Sequence, residues 1–393
     1  MREKLTLWYS YAGELGRGSF KALYPSFAMI VALSHFGVKS KYLLWCLASA
    51  VYVGMIVSLI SSTVIARYRK KHIIMAAEIV SRLTLVAAAF ITNGSAFVVF
   101  MALGSAINVF SLPHLSGIYG VNFRSAVRGH AVGRLLSLMI GTAAVTGILA
   151  GLLMDMNTSY YRILLLVVSV LGLGCSWYAN SHLPEARASG HRAPGRTWKD
   201  YVHVFTKDLG FAYLEFVWFI VGICNLWLAP ISVLRLKAIG LRDGQIMLAT
   251  VVITCLTVVL TIGLWGRLIY RLNFGLYRII LSVLFATGIT VFFNSQTLLF
   301  VCLGSFIWAL ALSGGQISWR LVATLFTTPQ RVPVYMSVHV FLCGVRGLVG
   351  PFLSLSLYET YGPQFVAWLS VGGYLLSIVL LIPLVYVMKK RNV

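Results

Sequence analysis

The chain has 393 residues, 59% of them hydrophobic and only 11% charged, with a mean hydropathy of +0.87. A soluble domain carries about 25% charged residues, so this composition excludes one. Lys and Arg number 32 against 10 Asp and Glu, a formal net charge of +22, but the basic residues fall in short connections between apolar runs. That placement argues against nucleic-acid binding, which needs a basic face or stripe, and fits cytoplasmic loops beside anionic lipid.

Apolar runs close to the ~20 residues that cross a bilayer recur along the whole length. They predict about twelve helical spans, near 7–36, 41–65, 73–92, 96–120, 130–154, 160–181, 209–235, 244–265, 274–293, 297–319, 335–357 and 364–388. Only helices or closed barrels satisfy backbone polar groups in lipid.

In the first span Ser10, Glu14, Arg17 and Lys21 recur at helical spacing. Each charge in hydrocarbon costs roughly 2.5–3.5 kcal/mol on insertion scales, so such a stripe faces a bundle interior or a polar path. Glu14 and Arg17 are placed to pair at i,i+3. Lys21 lies about 10 Å from Glu14 along the axis, too deep to snorkel easily. On the third span Glu78 and Arg82 are spaced for an i,i+4 structural pair. The fourth span carries Asn108 and His114 on either side of Pro113, and the fifth carries Gly141, Gly147 and Gly151.

The connection from His182 to Asp208 is polar and basic, with Pro184, Gly190, Pro194 and Gly195, and reads as a linker between six spans and six spans. The seventh span holds Glu215 near one end, Asn225 at mid-depth, and Pro230 as an expected kink. Ser313, Gln316 and Arg320 form a stripe on the tenth. On the eleventh, Arg346 lies close to mid-span with His339 two turns away on the same face. An arginine at that depth needs a partner or a substrate.

Basic residues crowd the connections on the side of both termini, among them Lys70, Lys71, Arg124, Arg267, Arg271 and Arg278. They are sparse on the other side, where Lys39, Lys41, Arg162, Arg235, Lys237 and Arg242 lie. The bias places both termini in the cytoplasm. The six cysteines all lie in apolar stretches without a CxxC pair and read as small buried hydrophobes. No cleavable signal peptide is expected, because the first apolar run is too long for one. No G-x-S-x-G, no H-E-x-x-H and no intramembrane Asp pair points to an enzyme, and no metal or cofactor site is expected.

The two halves look related. At an offset of 203, Lys4 falls on Lys207, Gly37 on Gly240, Phe123 on Phe326, Arg128 on Arg331, Gly141 on Gly344 and Gly147 on Gly350; at 204, Arg67 falls on Arg271. With this layout, the chain resembles a member of the major facilitator superfamily over essentially its full length. The family's loop between its second and third helices has the form G-x-L-A-D-R-x-G-R-R/K. Here Ser62 to Lys71 keeps the basic end, lacks the glycines and has Ala66 for the aspartate. The second copy keeps Gly266, Leu268 and Arg271 but has Tyr270 at the acidic position.

The resemblance implies two pseudo-symmetric six-helix bundles, 1–181 and 209–393, joined by a cytoplasmic linker, 182–208. It implies a substrate site lined by the first, fourth, seventh and tenth helices and flanked by the second, fifth, eighth and eleventh. It also makes Arg67, Arg271, Arg128 and Arg331 a cytoplasmic gate, though the missing acidic residue puts the family's latch in question. The family's drug–proton antiporters carry a Gly-Pro motif in the fifth helix, and the fifth span here has no proline.

The expectation is therefore an all-α, multi-pass secondary active transporter, working by alternating access on a small organic anion, with the proton as a coupling ion. Arg17, Lys21, Asn108, Asn225, Gln316 and Arg346 are the candidate substrate ligands. Glu14, His114 and His339 are the candidate proton carriers. The alternative is an exporter or flippase of an amphipathic lipid or drug, suited by Phe211, Phe216, Trp218, Phe219 and Trp227 of the seventh span. Expected surroundings are membrane lipid, a monomeric state and a bacterial inner membrane. Two sequons, at Asn93 and Asn157, leave a eukaryotic membrane open.

Overall fold

The computed structural model describes residues 2–64, 70–184, 198–327 and 331–390. Arg67, the loop around it and the middle of the expected linker lie outside them. Among the described residues every regular element is helical: α1 (Arg2–Ala22), α2 (Ala28–Ser34), α3 (Lys41–Val64), α4 (Lys70–Phe90), α5 (Gly94–Val109), α6 (Ser111–Asn122), α7 (Ser125–Met156), α8 (Tyr161–His182), α9 (Trp198–Lys207), α10 (Leu209–Leu226), α11 (Leu228–Ala238), α12 (Asp243–Met247), α13 (Ile253–Arg271), α14 (Phe274–Asn294), α15 (Leu298–Phe326) and α16 (Val332–Lys390).

Nine helices among the described residues are long and apolar enough to cross a membrane. The helix α1 falls outside that set because Glu14, Arg17 and Lys21 interrupt its apolar stretch. One of the nine, Val334–Tyr386, has 53 residues. At ~1.5 Å per residue it is more than twice the ~30 Å hydrocarbon thickness, so it must cross twice. Its break is Gly362, at φ 81°, a left-handed conformation open to glycine. Pro363 follows, where a helix tolerates a residue without an N–H.

The repeat seen in the sequence has structural counterparts. Helices α4 and α14 end at Phe90 and Asn294, 204 positions apart. Gly37 and Gly240, with φ 63° and 80°, follow the ends of α2 and α11, where a left-handed residue satisfies trailing carbonyls. The first span breaks at a π-turn, Leu23–Phe27, with Tyr24 extended, and the seventh breaks at Trp227. Helix starts follow side-chain chemistry. Asn93 Oδ1 accepts from the Ser95 and Ala96 N–H groups at 2.9 and 3.1 Å, and Asn273 caps α14 in the same way.

The chain forms two compact units by its contacts. Unit 1 comprises Met1–His191 and Gly240–Val252; unit 2 comprises Arg192–Ile239 and Ile253–Val393. In unit 1, α1 packs on α7 and α8, α4 on α5, α6 and α8, and α3 on α5. The short α12 joins this unit: its Gly244 N–H donates to Asp155 Oδ1 of α7 at 2.7 Å, and Ser34 Oγ donates to Asp243 Oδ1 at 3.1 Å. In unit 2, α14 packs on α15 and α16, α10 on α16, and α13 on α15. Small residues set these crossings, since apolar burial alone does not drive helices together in lipid. A Cβ on Gly304 would come within 2.6 Å of Phe292 Cα, whereas none of the protein lies within 4 Å of one on Gly263.

Gly304→Ala is therefore expected to cost about 1–3 kcal/mol by overpacking and to lower the thermal midpoint in detergent. Gly263→Ala, in the middle of α13, should leave the midpoint unchanged or slightly raised.

Candidate functional site

Two buried polar clusters are built into the bundles, one in each unit. The first is the charged stripe of α1. Glu14 and Arg17 face the α4–α8 side, where Arg17 is 5% exposed. Its Nη1 donates to Glu14 Oε1 at 2.7 Å and its Nε to Glu78 Oε1 at 2.6 Å. Two further donors reach these carboxylates: Tyr119 OH donates to the same Glu14 Oε1 at 3.1 Å and Asn180 Nδ2 to Glu78 Oε2 at 3.2 Å.

Arg82 completes this cluster. Its Nη2 donates to the Gly16 carbonyl at 3.1 Å, and its Nη1 to Ser81 Oγ and Asn108 Oδ1 at 2.8 and 3.1 Å. Its guanidinium lies 4.2 Å from the centre of the Phe20 ring. Gly172 makes the room, since a Cβ there would meet Arg82 Nε at 2.6 Å. The hydrogen bonds of Glu78 thus run to α1 and α8 instead of to Arg82, the partner that i,i+4 spacing suggests. Arg82 in turn reaches α1 and α5, besides Ser81 of its own helix. Two carboxylates and two guanidiniums leave the cluster formally neutral.

The second cluster, in unit 2, is not balanced. Glu215 and Trp218 stand one turn apart on α10; His339 and Arg346 stand two turns apart on α16. His339 Nδ1 is 2.7 Å from Glu215 Oε1. The imidazole packs between Trp218 and Trp319, with ring centres at 4.9 and 5.4 Å. Arg346 Nη1 donates to the Trp218 carbonyl at 2.7 Å. Its side chain occupies the groove that Gly222 leaves, where a Cβ would come within 2.7 Å of Arg346 Cζ. From α14, Arg278 Nη1 donates to Ser318 Oγ at 3.0 Å, and its guanidinium lies 4.8 Å from the Trp218 ring centre.

All four ionisable groups are buried. Neither arginine has a carboxylate partner among the described residues. Glu215 Oε2, His339 Nε2, Arg278 Nε, Arg346 Nε, Trp218 Nε1 and Tyr374 OH are buried and make no protein hydrogen bond. Buried polar atoms are usually satisfied, and such a concentration calls for a ligand or water as their partner.

The structure thus brings Arg17, Glu14 and Asn108 together in unit 1, and His339 and Arg346 in unit 2. The other candidates stand apart from both clusters. Lys21 is exposed at the end of α1, and His114 is half-buried on α6. Asn225 is half-buried, its Oδ1 accepting from Trp308 Nε1 at 3.2 Å, and Gln316 is half-buried on α15. Arg128, Arg271 and Arg331 are exposed; Arg128 donates to the Phe123 carbonyl.

Arg278, a loop cation by the sequence, is a buried residue of α14. The available signal was its position four residues inside a span predicted to begin at 274. Arg235, also counted as a loop cation, is 1% exposed and donates to the Phe293 and Ser295 carbonyls at the end of α14, where a cation opposes the helix dipole.

No family model matches the sequence, and no curated protein matches it. Solved structures do. A D-xylose–proton symporter superposes with a TM-score of 0.74 at 13% identity, over 97% of this chain and 98% of that one. The nucleoside transporter NupG superposes with a TM-score of 0.72 at 14% identity, over 99% of each chain. The human organic anion transporter MFSD10 superposes with a TM-score of 0.67 at 15% identity, over 96% of this chain and 99% of that one. These are major facilitator superfamily transporters, and this chain has their fold.

The unit 1 cluster predicts a stability effect. Glu78→Gln leaves two guanidiniums facing one carboxylate, and breaking a buried pair in this way costs about 3–5 kcal/mol. A large drop in the thermal midpoint is expected. Glu3→Gln, which removes the exposed Glu3–Arg124 pair, should leave the midpoint within error.

Proposed function

We propose that this protein is a secondary active transporter that carries a small organic anion across a membrane by alternating access, with proton uptake as the coupled step. The observation that carries the reading is Arg346: a buried guanidinium without a carboxylate partner among the described residues, next to a histidine–glutamate pair. Arginine's planar fork suits carboxylate or phosphate. The Glu215–His339 pair supplies groups that can gain and lose a proton beside it.

The match in fold to a proton symporter and to an organic anion transporter supports the reading, and the chemistry is argued from this chain's own residues. Arg17, Glu14 and Asn108, engaged in the neutral cluster of unit 1, are assigned to holding that unit together. Asn225 and Gln316 are assigned to hydrogen bonding the substrate, and Lys21 to attracting it. His114 remains a second site for a proton. Arg128, Arg271 and Arg331 are assigned to the cytoplasmic gate. The bias of basic residues supports cytoplasmic termini, and the short connections support a bacterial inner membrane.

A thermal-shift screen of the detergent-solubilised protein tests this. An anion at 100 times its Kd stabilises the folded state by about 2.7 kcal/mol, and Arg346→Ala should abolish that shift. In proteoliposomes an imposed proton gradient should drive uptake. Glu215→Gln should lose the response to the gradient while keeping exchange of substrate for substrate. Stabilisation only by amphipathic lipids or cationic drugs would favour lipid or drug export instead.

A further inference from the structure

The unit 2 cluster has a charge deficit that Arg346 alone does not define. Around Trp218 stand two guanidiniums, Arg278 and Arg346, and one carboxylate, Glu215. With Glu215 ionised and His339 neutral, the cluster carries one uncompensated positive charge. Burying such a charge is expensive unless a counter-charge accompanies it. In unit 1 the protein supplies that compensation from its own side chains; here it supplies one carboxylate too few.

The two guanidiniums use the same nitrogen to bond the protein. Arg278 uses Nη1 on Ser318 Oγ, and Arg346 uses Nη1 on the Trp218 carbonyl. In both, Nε is buried and makes no protein hydrogen bond, as is also true of Arg82 in unit 1; what sets unit 2 apart is its count of two guanidiniums to one carboxylate. The Nε side of a guanidinium is one of the edges that meets a carboxylate with two parallel N–H donors. Trp218 Nε1 and Tyr374 OH, also without a protein partner, are further neutral donors in the cluster. Tyr374 lies within electrostatic reach of both arginines, and the arginines of each other.

We propose that Arg278 is a second anion ligand and that, with Arg346, it forms a two-guanidinium clamp beside Trp218 for the single carboxylate of a monocarboxylic acid. This rests on the proposed function for the idea that the bound anion is also the transported one. Before the proton uptake proposed above, with Glu215 ionised and His339 neutral, one negative charge neutralises the cluster, whereas a dianion would overshoot it and leave a buried negative charge. The aromatic face of Trp218, against which the Arg278 guanidinium lies, favours an acid with an apolar tail over a polyhydroxylated one.

The test is a thermal-shift titration of the full-length protein in detergent with propionate, benzoate, succinate and inorganic phosphate, each at constant ionic strength and pH. A monocarboxylate should stabilise saturably, with a midpoint at least about tenfold below that of succinate or phosphate, equivalent to 1.4 kcal/mol. Arg278→Gln should raise that midpoint by about 10–100-fold, as loss of a charge-assisted hydrogen bond does. Arg278→Lys, which keeps the charge without the fork, should raise it less. Arg242→Gln, at an exposed position, should not change it.

Wild-type affinity for Arg278→Gln would overturn the clamp. If both Arg278 variants fail to fold, the wild-type selectivity decides, because equal or tighter binding of succinate or phosphate overturns the monoanion assignment. Saturable binding of a monocarboxylate with no transport of it in proteoliposomes would sink the proposed transport function and leave the clamp standing. Transport of an organic anion that is indifferent to Arg278→Gln would do the reverse.

Discussion

A charge inside a membrane bundle must be matched by an opposite charge or a ligand, and that constraint organises both halves of this protein. Unpaired, each such group costs kilocalories; paired and hydrogen-bonded, it costs little and fixes the helices that carry it. Unit 1 meets the constraint internally. Arg17 is held by Glu14 and Glu78, Arg82 by a backbone carbonyl and two polar side chains, and Tyr119 and Asn180 each add a hydrogen bond to one of the carboxylates. Five helices are tied by that arrangement, and no charge is left over.

Unit 2 uses the same ingredients with one acid fewer. Arg278 and Arg346 approach Trp218 from two different helices, while Glu215 is engaged by His339. Backbone geometry makes this possible. Gly222 sits one turn from Trp218 and leaves the groove that Arg346 fills, just as Gly172 leaves the space for Arg82 in unit 1. A glycine beside a buried arginine therefore serves two ends, close helix approach and room for a long cationic side chain. The cluster that lacks a balancing acid is the one suited to exchanging ligands, since a neutral network has no electrostatic reason to take one up.

Much of the architecture was legible in the sequence because its determinants are local. Apolar run length marked the spans, and positively charged connections marked the loops. The offset that aligned Gly37 with Gly240 reappears as two left-handed helix ends. The buried partners were less legible because they are distant in sequence. Arg17 meets Glu78 across 61 positions and His339 meets Glu215 across 124, and periodicity carries no information about either. Local spacing even suggested the wrong partner for Glu78, since a neighbour at i,i+4 competes poorly with a guanidinium pressed in from α1. A cation near a span end reads as a loop residue; the packing of α15 and α16 on its helix, with Trp218 of α10 against the guanidinium, is what buries Arg278.

The central claim is that the unbalanced cluster of unit 2, and not the neutral cluster of unit 1, binds the anion. An experimental structure determined with a stabilising carboxylate tests it most directly. The account predicts ligand density against the Nε edges of Arg346 and Arg278 beside Trp218, with the Glu14–Arg17–Glu78 contacts unchanged. Density seated on Arg17, with its carboxylate partners displaced and the Arg278–Arg346 region unaltered, would contradict it.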